Sequence, residues 1–224
     1  MLRQGGFELT YLEHDTFRVR AGGVVVYTDP FQIMPQSVKA DIVTITHDHY
    51  DHMSESDLRK VIAENTIIIA SVNCEEKLKG VPAKEKLFLK PGAKVERIGL
   101  TFEAVPAYNT NKFRAPGVVF HPKEYMGVGF VLDYSGSRLY HAGDTDNIPE
   151  MNSLKDIDVA LLPVSGTYVM TAEEASKAAA VIRADLSIPM HWGAIVGKKE
   201  DAVRFKELTT SQGLNATAME KSPS

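Results

Sequence analysis

A chain of 224 residues with ordinary hydrophobic (44%) and charged (24%) content is long enough for one large core, or for two closely fused halves. A net charge of −4, from 25 basic and 29 acidic residues, lacks the basic footprint of a nucleic-acid binder. The single cysteine, Cys74, excludes a disulfide framework and a zinc–thiolate cluster, and no run approaches the ~18 apolar residues of a membrane span, so the expected setting is cytoplasmic.

Phe7–Glu13 alternates Phe7, Leu9 and Tyr11 with Glu8 and Thr10, the pattern of a half-buried strand. His14 and Asp15 turn the chain into a second arm over residues 16–20, which makes His14 a turn residue. A third strand, residues 24–27, ends at Asp29-Pro30. Asp29 is there either a loop cap or the partner that fixes the tautomer of a metal-binding histidine. Phe31, Ile33 and Met34 on the next loop are expected to face the core. An apolar run, residues 41–46, then leads into THDHYDH, residues 46–52, which holds three of the seven histidines. Ser54 reads as the N-cap of a short helix.

The cluster therefore sits where a buried strand hands over to a helix. Alternate side chains share a face of an extended segment, so His47, His49 and Asp51 can converge, and the turn brings in His52. Two imidazoles beside a carboxylate and an imidazole make a layout for two neighbouring metal ions.

Further strands are expected at residues 66–70 and 86–90, then an antiparallel pair at 94–98 and 100–105. Residues 106–125 have no clear period and read as a lid or binding loop. Lys112, Arg114, His121 and Lys123 on it are either a solvated basic loop or a clamp for an anionic group. Strands follow at 127–134 and 138–141, the latter stopping at Gly143-Asp144-Thr145. Another strand covers 156–163. Thr171 and Glu174 form a capping box for an alanine-rich helix, 172–183. The last core strand, 186–190, ends at His191-Trp192-Gly193. A helix over 201–209 precedes a polar tail, 210–224, expected to fray. Two β-sheets packed together with helices outside are the expected architecture.

Four strand ends thus carry candidate ligands: His47, His49, Asp51 and His52; Asp144; His191; and Asp29 behind them. Ligation by imidazole and carboxylate suits zinc, manganese or iron rather than calcium. The HxHxDH motif, the Gly-Asp-Thr turn and the IPMHWG strand end resemble the metallo-β-lactamase-fold hydrolases. YHAGDTD (residues 140–146) and LLPVSGTYVMTAEEA (161–175) resemble the branch that includes the ascorbate-6-phosphate lactonase and the phospholipase D acting on N-acyl-phosphatidylethanolamines.

The resemblance implies a single α/β (α+β) domain, a four-layer αββα sandwich, with pseudo-symmetric halves over roughly 1–105 and 106–209. It implies two divalent ions, zinc first, with manganese and iron as alternatives. His47 and His49 would hold one ion; Asp51, His52 and His191 the other; Asp144 would bridge, and Asp29 would support from behind. The family places a third histidine for the first ion where this chain has Pro106-Ala107-Tyr108-Asn109. His121 swinging in, Asn109 coordinating, or a looser first site are the alternatives.

The expected activity is hydrolysis by a metal-bound hydroxide, with Asp51 and Asp144 in catalytic roles. The substrate class is an ester, lactone or phosphodiester of a small molecule, anionic if the basic loop is a clamp. A non-catalytic or mononuclear metal-binding protein is the alternative, and association into a homo-oligomer is left open. A flavodiiron-type redox site is disfavoured because His49 stands where an acidic residue is needed.

Overall fold

The computed structural model describes residues 1–222. Two mixed sheets are stacked face to face. The first takes β1 (Leu2–Gln4), β2 (Phe7–Glu13), β3 (Thr16–Ala21), β4 (Val24–Thr28), β5 (Ile42–Ile45), β6 (Ile67–Ser71) and β7 (Glu85–Leu89) in chain order. Its first four strands are antiparallel and its last four, from β4 onward, run parallel. The second sheet holds β8 (Lys94–Arg97), β9 (Leu100–Pro106), β12 (Val128–Tyr134), β13 (Ser137–His141), β14 (Val159–Pro163) and β15 (Leu186–Met190), in the order β15-β14-β13-β12-β9-β8. The chain crosses between sheets at residues 90–93, so β8 and β9 lie with the second. β10 (Phe113–Ala115) and β11 (Val118–Val119) form a separate small hairpin.

Strand alternation builds the layers. Val26, Ile42, Ile67 and Ile69 face the second sheet's Phe102, Phe130, Leu132 and Leu139 in one continuous core. Their neighbours Tyr27, Val43, Ile45 and Ile68 point the other way, onto Leu58 and Val61 of α1 (Glu55–Val61) and Leu78 of α2 (Glu75–Leu78). On the far side of the second sheet lie α3 (Ala172–Ile182) and α4 (Lys199–Ser211). The expected αββα sandwich is thus the observed one. Thr171 and Glu174 make the expected capping box, and Ser54 caps α1 by accepting from the Asp57 N–H. Among the described residues, no helix is long and apolar enough to cross a membrane.

The tail departs from expectation. Ala216 bridges to Ser187 beside β15, Met219 is buried, and the Ser222 N–H donates to the Tyr11 carbonyl at 2.8 Å. Apolar side chains spaced along a polar segment are enough to seat it on the sheet. The expectation for residues 223 and 224 lies outside the described residues. β1 also appears where the sequence, with only three residues paired, gave no periodic signal.

Candidate metal centre

The site forms along one edge of the sandwich, where parallel strands of both sheets end. Asp29 follows β4, His47 follows β5, Asp144 follows β13 and His191 follows β15. Asp29 organises the first of these ends. Its carboxylate accepts from the Thr46 N–H at 2.8 Å and the Thr46 hydroxyl at 2.5 Å, and from His52 Nδ1 at 2.8 Å. That contact leaves His52 Nε2 facing the site. Thr46 Oγ1 in turn meets His47 Nδ1 at 3.1 Å, so His47 also presents Nε2.

His47 Nε2, His49 Nδ1 and His121 Nε2 converge, with His49 Nδ1 lying 3.1 Å from each of the other two. Around a tetrahedral zinc with bonds of about 2.0–2.1 Å, ligand nitrogens sit roughly 3.3 Å apart, close to this spacing. Burial holds His47 well below the usual imidazole range and brings His121 down to about 4, so their nitrogens keep free lone pairs for a cation. Asn109 does not join the trio. Its side-chain oxygen accepts from His121 Nδ1 at 2.8 Å and from the His121 N–H at 2.9 Å, while its amide donates to the Tyr168 carbonyl. His121 thus reaches this trio from the long loop, with its ring oriented by Asn109.

Asp144 stands between this trio and a second cluster. Its Oδ2 is 3.4 Å from His121 Nε2 and 4.0 Å from His47 Nε2; its Oδ1 is 3.3 Å from His52 Nε2 and 3.2 Å from His191 Nε2. Gly143 permits this placement: at φ +62°, a Cβ there would meet the Val128 carbonyl at 2.9 Å and Thr46 at 3.0 Å. Asp51 completes the second cluster, its Oδ2 3.7 Å from His52 Nε2.

One member was missed. His14, expected to be a plain turn residue, is wholly buried, with Nε2 3.4 Å from Asp51 Oδ2 and its ring 4.0 Å from that of His191. Asp15 beside it is equally buried. The only sequence signal was a histidine and an aspartate together in a hairpin turn. His14, Asp29 and His191 all hold left-handed backbone, at φ 47°, 35° and 61°, which costs energy for residues other than glycine and clusters at functional sites.

The donor set fits a cation. Buried side-chain atoms without a hydrogen-bond partner include both ring nitrogens of His14, both carboxylate oxygens of Asp15, Nε2 of His52 and His191, and Oδ1 of Asp144. Leaving such atoms unpaired costs about 1–3 kcal/mol each, and a divalent ion satisfies several at once. The electrostatics agree. Burial opposes charge on His191, yet the carboxylates of Asp144 and Asp15 outweigh it and raise the imidazole to about 9. Burial likewise opposes charge on Asp144, but His191 and His52 hold it well below the carboxylate range. The carboxylates thus favour positive charge at the His191 side of the pocket, while burial disfavours it on His47 and His121.

A cavity of about 200 Å³ opens above the trio, walled by Tyr50, Phe120 and Tyr168 and floored by His49, His121, Asp51 and Asp144. The basic loop does not clamp it. Lys112 is buried against Glu174 (2.6 Å) and Asp146 (3.4 Å), Lys123 pairs with Glu150 (2.7 Å), and Arg114 is exposed on β10. Among the described residues, the cavity is lined by no lysine or arginine. A larger cleft of about 450 Å³, lined by Lys155, Asp156 and Arg183, holds none of these histidines. Cys74 is buried, which pushes its thiol up.

A family model described as a beta-lactamase superfamily domain matches residues 8–191. The chain belongs to the metallo-β-lactamase superfamily. Within this superfamily it belongs with the UPF0173 metal-dependent hydrolases: a relative from Methanoculleus marisnigri is 35% identical over 91% of this chain and 90% of its own length. One from Methanocorpusculum labreanum is 32% identical over 91% and 92%. A solved Parabacteroides distasonis chain described as a metal-dependent hydrolase superposes with a TM-score of 0.83 at 33% identity, over 96% of this chain and 94% of that one.

Proposed function

We propose that this metallo-β-lactamase-superfamily hydrolase uses a dinuclear centre to cleave a small ester, lactone or phosphodiester. The observation that carries the reading is Asp144, whose two carboxylate oxygens face two separate imidazole clusters. In the proposed assignment His47, His49 and His121 would hold one ion, Asp51, His52 and His191 would hold the other, and Asp144 would serve both. Zinc is the first candidate, with manganese or iron as alternatives. Bound there, the ions would lower the pKa of a coordinated water to about 7 and polarise the scissile group's oxygen.

The chain's own residues do the rest. Asp51, at the cavity floor, is placed to orient the attacking water. Burial opposes its charge, but His14 and His52 outweigh it and hold the carboxyl at about 2, so it accepts hydrogen bonds at neutral pH. Phe120 and Tyr168, with ring centroids 4.8 Å apart and edge to face, give the substrate an apolar wall. A cavity below the ~300–1,000 Å³ of drug-sized pockets favours a compact substrate. That supports the small-molecule expectation, while Lys112, Arg114 and Lys123 do not line the cavity. The mononuclear alternative rested on Asn109 in place of a histidine, and the position of His121 favours the dinuclear reading.

The test is metal content by elemental analysis on protein expressed without added metal, beside turnover of paired neutral and carboxylate-bearing aryl esters, lactones and phosphodiesters. Chelation should abolish turnover and readdition of the ion restore it. Turnover that survives complete metal removal would sink the proposal.

A further inference from the structure

We propose that His14 is a further ligand of the second ion, so that the second site is built for five or six coordination while the first is tetrahedral. The inference rests on the dinuclear reading above and extends its ligand set.

Four observations carry it. His14 is wholly buried and makes no hydrogen bond of ordinary geometry; the nearest polar contact of its Nε2 is Asp51 Oδ2 at 3.4 Å. An unpaired buried imidazole is costly unless something absent from the protein chain satisfies it. Second, a ring nitrogen of His14 lies with donor atoms of Asp51, His52 and His191 in a group all within 4.8 Å of one another, and Asp144 shares His52 and His191 with Asp15 in an adjoining group. Third, its 3.4 Å distance to Asp51 Oδ2 is longer than an N–H···O bond of about 2.7–3.2 Å, and it matches the 3.3 Å and 3.2 Å that separate Asp144 from His52 and His191. Neighbouring atoms that share an ion sit roughly 3.0–3.4 Å apart, the shorter figure at higher coordination, so these spacings are within reach of one shared ion. Fourth, the backbone is committed to holding the ring there. His14 sits at φ 47°, and its carbonyl accepts from the Tyr11 hydroxyl at 2.8 Å and from the His191 N–H at 3.1 Å. The ring is fixed by packing against His191 and, edge-on, against Phe31 with centroids 5.6 Å apart.

The second site would then offer imidazoles of His14, His52 and His191 with carboxylates of Asp51 and Asp144. Three nitrogens and two oxygens exceed the four donors of a tetrahedral site and leave room for water. Such a set suits a divalent ion that accepts high coordination, manganese or iron as well as zinc. The first site, with three imidazoles and one Asp144 oxygen, remains tetrahedral.

Cobalt(II) makes the difference visible, because its visible absorption is strong when tetrahedral and weak at higher coordination. The full-length protein, freed of metal, is titrated with cobalt while absorption and affinity are followed. The comparison is His14→Phe, which keeps a ring against His191 and Phe31, and His14→Ala. The expected result is one strongly and one weakly absorbing cobalt in the natural protein. His14→Phe should bind the second ion at least ~10-fold more weakly, with that ion's absorption changed and the first ion's untouched. An unchanged second-ion affinity and spectrum in folded His14→Phe would overturn the proposal, as would a natural protein that takes no second ion. Should His14→Phe fail to fold, cadmium-113 NMR of the natural protein with nitrogen-15-labelled histidine decides: three imidazole couplings at the second ion support the ligand, two overturn it. None of these readouts needs turnover, so loss of the hydrolase reading would show separately, as two bound ions without hydrolysis.

Discussion

His121 Nδ1 lies 2.8 Å from Asn109 Oδ1, and the same oxygen takes the His121 backbone N–H at 2.9 Å. One amide thus fixes both the tautomer and the direction of an imidazole twelve residues further along the loop. Asn109→Ala should therefore weaken ion binding at the first cluster by roughly 10–100-fold, as loss of a ligand's supporting partner does. His121→Ala should weaken it further. Competition with a chelator measures both. Equal affinity in all three proteins would remove His121 from the ligand set.

The strand ends were legible because each combines two signals: an apolar run of strand length and a polar residue of distinctive chemistry just beyond it. Residues 46–52, Asp144 and His191 all satisfy that rule, and the sandwich follows from alternation in strands such as Ile67–Ser71. His14 failed it. Its burial comes from Phe31, Asp51 and His191, residues that no local pattern links to a hairpin turn. Lys112 was illegible for the same reason, since its partners Asp146 and Glu174 lie in other segments. His121 was a candidate only by elimination; what selects it is the pairing of the loop with Asn109.

Asp144 distinguishes the shared centre from two independent sites. If its carboxylate spans both ions, Asp144→Ala should lower occupancy at both, whereas His49→Ala should chiefly empty the first. Elemental analysis after dialysis gives the stoichiometry, and circular dichroism verifies folding. Full retention of both ions in Asp144→Ala would show that the carboxylate bridges nothing.

The aromatic wall gives a kinetic test. Phe120→Ala should raise KM for a neutral aryl ester by roughly 3–10-fold, the worth of one aromatic contact, with metal content unchanged. Lys112→Ala should behave differently. Its ammonium is held by Glu174 at 2.6 Å in a nearly buried position, so its loss should cost about 1–3 kcal/mol of stability with little selectivity for anionic substrates. A specific loss of turnover on carboxylate-bearing esters in Lys112→Ala would restore the clamp.

The tail offers a stability test close to the metal centre. Residues after α4 return to pair with β15, where the Ser187 N–H donates to the Asn215 carbonyl at 3.0 Å and the Thr217 N–H to the Ser187 carbonyl at 3.1 Å. Met219 then enters the main core, and the Lys221 ammonium pairs with Glu13 and sits 4.7 Å from the Trp192 ring centre. Trp192 and Glu13 are the direct chain neighbours of His191 and His14. Removing residues 214–224 should therefore unpack one side of both histidines. We expect a loss of about 3 kcal/mol, by comparison with large-to-small core changes, and a fall in Tm of roughly 6–12 °C for a chain of this size. The second ion should also bind more weakly than the first in the shortened protein. A melt and a cobalt titration that both match the full chain would show that the tail is merely laid on the surface.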